Sequence, residues 1–522
     1  MNSSPAPGAH KWATLTIGCV AQLVLAVDMT ALHLAIPGLT RDLDPSATQI
    51  LWIADSYGFA LAGLLVTMGW LGDRIGRRRL LLIGTGAFGL ASAMTAYADS
   101  AAQLIAARAL LGVAGATIMP STLSLIRNVF TDARERTTAV GIASGVAGAG
   151  VGLGPVIGGA LLDHFWWGSV FLVNLPVMAV LLVAGLLVLP ESRNPRPGRL
   201  DLPSVPLSVL GVLGLVYAVK EAARAGAGQP RVAVAAVAGL LALVVFVRRQ
   251  RRLDHPLIDL RLLGSRAFSG SVGANLVAMF ALVAQSLIFA QYFQQVLGWS
   301  PLVAGLAGLP GAVAAMAGGG LAGPLIGVMG RARVVALGMA VAACGFVLYT
   351  LTGTVAHYPV MVLAMLPVGL GMGFTFAVTT DTMLAAVPRE RAGAASAISE
   401  TGNELGGALG MAVLGSVLGG VYRGGLRLPD GLPGGTVAAA RDSLGGALQA
   451  AAGAPAGLAG RITDAARHAF VGGMHTAALC SAALAAVVAV AVLFALRGVP
   501  NDIPEQPEPA DQEAPAAAAA VR

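Results

Sequence analysis

Gly69-Trp70-Leu71-Gly72-Asp73-Arg74-Ile75-Gly76-Arg77-Arg78-Arg79 separates two apolar runs of the chain, at about 49–71 and 79–98. Glycines here permit close approach of helix ends, while Asp73 and the arginines can form charge pairs or meet helix termini at a membrane surface. A bilayer core takes roughly 20 apolar residues as a helix, and both flanking runs are long enough. Outward from this loop the pattern repeats. Further spans fall at about 13–37, 101–125, 138–161, 167–189, 204–220, 231–248, 268–292, 302–328, 333–353, 359–385, 394–420 and 472–497, fourteen in all. Composition agrees: 56% of the 522 residues are apolar and 11% charged, too little charge to cover a soluble surface.

Charge sets the orientation. One set of alternating loops carries the arginines of 74–79, 127–136, 193–199, 248–266, 331–333 and 389–391; the opposite short loops carry Arg41, Lys220, Arg224 and Arg231. That is about 20 basic residues against 4, which places the first set in the cytoplasm together with both termini. The formal charge of +7 is spread between spans and forms no basic domain, so nucleic acid is not an expected partner. The first span is too long for a signal-peptide core and lacks a cleavage site, so it is expected to stay. Cys19, Cys344 and Cys480 lie far apart in apolar segments without metal or disulfide spacing and read as buried small hydrophobes. No cluster has catalytic or metal-ligand spacing. Neither enzyme activity nor a cofactor is expected. The run 148–154, superficially a dinucleotide loop, follows no strand and lies within a span.

The 69–79 loop resembles the signature loop of the major facilitator superfamily through Gly69, Asp73, Arg74, Gly76 and Arg77. A worn copy stands one half-chain later, with Gly323, Gly330 and Arg331 at the offsets of Gly69, Gly76 and Arg77, and Gly327 in place of the aspartate. Gly150, Gly154, Pro155, Gly158 and Gly159 resemble the antiporter motif of that superfamily, and Arg108 with Gly112 and Gly115 its arginine motif. Leu25-Ala26-Val27-Asp28-Met29-Thr30 and Leu51-Trp52-Ile53-Ala54-Asp55-Ser56-Tyr57 are similar to stretches of its fourteen-helix drug:proton antiporters, especially the QacA-type exporters of quaternary ammonium compounds and dyes.

The resemblance implies an all-α membrane protein of two six-helix bundles, residues 1–200 and 251–500, with an inserted helix pair at 201–250. It also implies a long external loop at 421–470 holding two short helices, around Val437–Ala452 and after Gly457; residues 501–522 read as a disordered cytoplasmic tail. The implied function is proton-coupled efflux of lipophilic, often cationic, small molecules through the inner membrane by a monomer among membrane lipids, the proton gradient serving in place of a cofactor. A dedicated exporter of one natural product is the alternative.

Ionisable groups at mid-bilayer are functional candidates by default. Helical rise puts Asp28 roughly 13 Å from the outer boundary, and Asp55 and Arg108 roughly 9–11 Å, so the three could share a layer for proton coupling, with Arg108 tuning an acidic neighbour. Glu400 and Glu404, four apart, share a helix face where H⁺ and a cation could compete. The resemblance gives Glu400 to substrate recognition and Asp28 to proton coupling or transport; Ala314-Ala315-Met316, where a divalent-cation exporter carries an aspartate, favours monocations. Tyr57, Phe289, Tyr292 and Phe376 are candidate cavity aromatics. Asp381 reads as a residue snorkelling at the cytoplasmic end of its span.

Overall fold

The computed structural model describes residues 8–45, 47–192, 201, 203–225, 228–253, 260–387, 392–429 and 432–500. Within lipid every backbone N–H and C=O must find its partner inside the chain, and the apolar runs accordingly close into helices. Among the described residues these are α1 (Gly8–Leu43), α2 (Ala47–Ile75), α3 (Arg77–Ala96), α4 (Ala101–Val129), α5 (Ala133–Leu162), α6 (Ser169–Leu172), α7 (Asn174–Val188), α8 (Ser204–Ala225) and α9 (Pro230–Gln250). They continue as α10 (Arg266–Gln291), α11 (Pro301–Met329), α12 (Arg331–Leu348), α13 (Tyr358–Ala385), α14 (Ala392–Gly425), α15 (Gly434–Asp442), α16 (Leu444–Ala452) and α17 (Ala456–Ala495). Eleven helical stretches among the described residues are long and apolar enough to cross a membrane. The helix starts are legible chemistry. Asp132 accepts from the backbone of Arg134 and Glu135 to cap α5, and Ser100 and Ser300 cap α4 and α11.

Two expectations change. The stretch after Gly457 is not a separate short helix: α17 runs unbroken from Ala456, within the 421–470 segment read as external loop, and packs its first turns on α16. Cys344 and Cys480 are exposed; only Cys19 of the three is buried. The 167–189 span is present as one apolar stretch, Ser169–Val188, formed by α6 and α7 with Val173 in helical conformation between them.

Two apolar cores result. One draws on α1–α4, α6 and α7, the other on α10–α17, and a third, smaller cluster joins Ile126, Phe130 and Val140 to Phe268, Met383 and Leu384 across the seam between them. The turns before α3 and α12 have the same shape, because Gly76 takes φ 109° and Gly330 φ 82°, a region that penalises any side chain. Across the seam α5 crosses α11 with the backbones touching: a Cβ on Gly141 would lie 2.3 Å from the Gly319 carbonyl oxygen. Arg134, Gly141 and Gly145 all meet α11, whereas a Cβ at Gly148 would meet nothing within 4 Å. The two groups of helices therefore close most tightly at the arginine-rich end.

α8 and α9 form a hairpin packed on α2 and α14. Arg249 grips Asp201 with two hydrogen bonds of 2.6 and 2.7 Å at one end, and Arg231 pairs with Glu221 at 2.7 Å at the other. The Arg249 hydrogen bonds hold the Asp201 carboxyl down at about 2.

Candidate functional site

In the first core, Asp28 sits on the buried face of α1 beside Leu25, Ala31 and Leu32, and is itself 1% exposed. Its Oδ2 accepts from Arg108 Nη1 at 2.7 Å and its Oδ1 from Asn174 Nδ2 at 2.9 Å; Asn174 also reaches Ser92 Oγ at 3.2 Å. Arg108 in turn donates to the Ile53 carbonyl at 3.4 Å and lies over the Tyr57 ring, 4.8 Å from its centroid. A charge this deep is tolerated only when paired and hydrogen-bonded, and here both carboxylate oxygens are occupied. Neutralising Asp28 would leave the Arg108 charge buried and uncompensated, so the two groups act as a unit. Tyr57 is buried, and its hydroxyl finds no hydrogen-bond partner among the described residues.

On the other side, Glu400 and Glu404 are partly buried on α14, which packs against α2, α4 and α10. Glu400 Oε2 accepts from Asn403 Nδ2 at 3.1 Å. Gly406 and Gly410 bring α14 onto the backbone of α10, with a Cβ at Gly410 falling 2.0 Å from the Phe280 carbonyl oxygen. Two carboxylates one turn apart beside a seam can bind a proton or a cation, and repulsion disfavours leaving both bare.

A third charged cluster closes the arginine-rich end. Asp381 is fully buried rather than snorkelling, because the other group of helices covers it. Arg136 on α5 donates to Oδ1 at 2.6 Å, while Thr137 and Arg331 donate to Oδ2 at 2.8 and 2.7 Å. Nearby, Arg127 on α4 donates to the Val387 carbonyl. Within the signature loop Arg77 is bonded to Asp73 at 2.8 and 3.0 Å, Arg74 lies over the Trp70 ring, and Gly69 continues α2.

The remaining candidates divide. Gly150 and Gly154 press α5 onto α1, with Thr30 Oγ1 only 1.8 Å from where a Cβ on Gly154 would sit; Gly158 and Gly159 follow on the same helix. Phe289 and Tyr292 lie in the second core in this structure: Phe289 packs 4.1 Å from Tyr349 between centroids, and the Tyr292 hydroxyl donates to the Gly353 carbonyl. Phe376 is partly buried against the same core. The side chains of Asp55, His33 and Pro155 lie outside the described residues, as do the arginines at 193–199 and 389–391 and the tail 501–522. Sequence reading missed Asn174, Asn403 and Arg136. Uncharged amides carry little signal in a polar-tolerant helix, and Arg136 reads as one more loop arginine.

Two helical groups meeting at a polar seam, with buried acids on both sides and glycine-mediated crossings between them, define a membrane transporter. The chain belongs to the Major Facilitator Superfamily, whose profile matches residues 18–411. It is 43% identical over 439 residues to the multidrug efflux pump LfrA of Mycolicibacterium smegmatis, covering 83% of this chain and 86% of that one. It is 37% identical over 435 residues to the methyl viologen resistance protein SmvA of Salmonella typhimurium, covering 83% and 88%. Its fold resembles that of the human organic anion transporter MFSD10 (TETRAN), with a TM-score of 0.59, 15% identity and coverage of 93% of this chain and 100% of that one.

Proposed function

We propose that this chain is a proton-coupled multidrug efflux antiporter of the QacA type, exporting lipophilic and often cationic compounds through the cytoplasmic membrane. In this reading it crosses fourteen times, with α8 and α9 as the inserted pair at 201–250 between bundles 1–200 and 251–500, and acts as a monomer. The arginine-rich end faces the cytoplasm, as the positive-inside rule favours, so the seam is closed inside and the protein stands ready to release cargo outside. The observation that carries the reading is the buried Asp28–Arg108 pair, with the Tyr57 ring of α2 against the guanidinium.

A proton arriving from outside adds to Asp28, which weakens its hold on Arg108. A proton on Glu400 or Glu404 removes the charge that held a cation, and the cargo leaves. The bundles then rock, opening the Asp381 cluster; inside, proton loss restores the negative charge that draws in the next cation. The proton and the cargo are alternatives for the same charge, which couples their fluxes. Support for the cargo class comes from the names of the relatives, and the methyl viologen relative brings flat dications into the range to be tested. The test is ethidium flux in proteoliposomes under an imposed pH gradient. Wild type is expected to pump and Asp28→Asn to insert normally but lose gradient-driven transport. Wild-type rates in Asp28→Asn refute the proton assignment, and absence of ethidium or quaternary ammonium flux in wild type refutes the broad cargo class.

A further inference from the structure

Asn275 on α10 plays no part in the exchange just described, yet it is 2% exposed and its amide is engaged at both ends. Its Nδ2 donates to Asn403 Oδ1 at 2.6 Å, and its Oδ1 accepts from Thr379 Oγ1 on α13 at 3.0 Å. Asn403 donates onward to Glu400. The direction of this chain is dictated from its acidic end. An ionised carboxylate only accepts, so Asn403 must turn its NH₂ group toward Glu400 and its oxygen toward Asn275; Asn275 must then present NH₂ to Asn403 and oxygen to Thr379. Hydroxyl, amide and amide form one line of donors aimed at the Glu400 carboxylate.

The line is held in place by backbone contact. Gly406 brings α14 against Leu276, the residue after Asn275, with a Cβ there falling 2.4 Å from the Leu276 carbonyl oxygen. The far end has two settings. Thr379 has one hydroxyl proton and three acceptors within range, Asn275 Oδ1 at 3.0 Å, the Thr375 carbonyl at 2.7 Å and, at the limit, the Phe376 carbonyl at 3.4 Å. When Glu400 is ionised the first acceptor completes the line; when Glu400 carries a proton and can itself donate, the second relieves Thr379 of its duty. Connected amide networks of this kind fix a single orientation for the group at their end.

We propose that Asn275 and Thr379 are positioning residues for Glu400, acting through Asn403 to hold its carboxylate as the acceptor that meets a cationic cargo. The inference rests on the reading of Glu400 as a cargo acid. Neither residue touches cargo. Their effect is on the orientation of Asn403, and it vanishes when Glu400 has no charge to orient.

The experiment is ethidium transport by the full-length protein in proteoliposomes, with KM and maximal rate measured separately. Thr379→Val removes the hydroxyl at nearly constant shape and Thr379→Ser keeps it, so this pair stands even if Asn275→Ala folds poorly. Asn275→Ala is expected to raise the ethidium KM roughly 5-fold and Thr379→Val about 2- to 3-fold, the scale of one lost hydrogen bond, with the maximal rate within about twofold of wild type. Thr379→Ser keeps the wild-type KM. Added to Glu400→Gln, neither substitution changes KM further. A fall in maximal rate at unchanged KM, a Thr379→Ser as impaired as Thr379→Val, or full additivity with Glu400→Gln overturns the proposal. If Glu400→Gln alone leaves the ethidium KM at the wild-type value, the cargo-acid reading falls and takes this inference with it. If Glu400→Gln raises KM while the Asn275 and Thr379 variants match wild type, only the inference falls.

Discussion

In the stretch 69–79, Gly76 turns the chain at φ 109° and hands Arg77 to Asp73, four residues back on α2. In 323–333, Gly330 turns it at φ 82° and hands Arg331 to Asp381, fifty residues further on in α13. The turn has been kept in both halves and the source of the carboxylate has changed. Gly327 stands where the aspartate would be, and the nearest atoms to a Cβ there belong to the Arg134 guanidinium, at 3.1 Å. The difference teaches that a repeat can preserve a charge pair while moving one partner. In moving, the second carboxylate gained Arg136 from the opposite side of the seam, so the Asp73–Arg77 pair lies within one half whereas the Asp381 cluster joins both.

The largest effect that breaks this comparison is Asp381→Asn. It removes the buried carboxylate that Arg136 and Arg331 share, a loss of about 3–5 kcal/mol, and Asp73→Asn should cost clearly less. Thermal unfolding of the two purified variants in detergent checks the order, and equal melting shifts would show that the Asp381 cluster carries no extra weight. Next come Gly76→Ala and Gly330→Ala. Each forces a side chain into a positive-φ, extended-ψ conformation essentially reserved for glycine, at about 1–3 kcal/mol, and matched melting shifts at the two sites would sharpen the equivalence of the turns. Gly76 has Glu191 in the path of a Cβ, but that obstacle is the end of a flexible side chain.

Smaller still is Gly327→Asp, which restores the missing aspartate opposite Arg134. The new pair spans the seam, gains at most about 1 kcal/mol, and should slow ethidium efflux about 2- to 5-fold without lowering the melting temperature. Faster efflux would mean that the seam does not open at this end. The smallest effect lies outside both loops. Asp201 is ionised in the native protein down to about 2, below the ordinary carboxylate range near ~3.9. Its stabilisation is therefore complete above that ordinary range and is lost only as pH falls through about 2. The melting difference between wild type and Asp201→Asn should be flat from pH 8 to 5 and shrink only in stronger acid.

The helical architecture was legible because apolar length and arginine placement report directly on lipid crossing. Asp28 and Arg108 stood out as charges in apolar runs, and helical rise put them at similar depth; the structure brings them to 2.7 Å. Asp381 was misread for an instructive reason. Counting residues from a helix end measures depth along one helix, and cannot register that α5 lies across it with Arg136, 245 residues away in sequence. Asn174, Asn275 and Asn403 escaped notice because a neutral amide is unremarkable until its partners, 82 to 146 residues distant for Asn174, are known. The start of α17 was misplaced because its first turns are mixed in polarity and pack on α16, so hydropathy faded before the helix did.

The arrangement around Asp381 bears on safety as much as on motion. Parting the arginine-rich end means pulling Arg136 away from a carboxylate in a dry interior while Arg331 stays behind. In the proposed cycle, that threshold discourages gaping at this end while the opposite mouth is ajar. An exchanger with both mouths ajar would short-circuit the ion gradient the cell lives on, and a carboxylate gripped from both sides is a simple interlock against it.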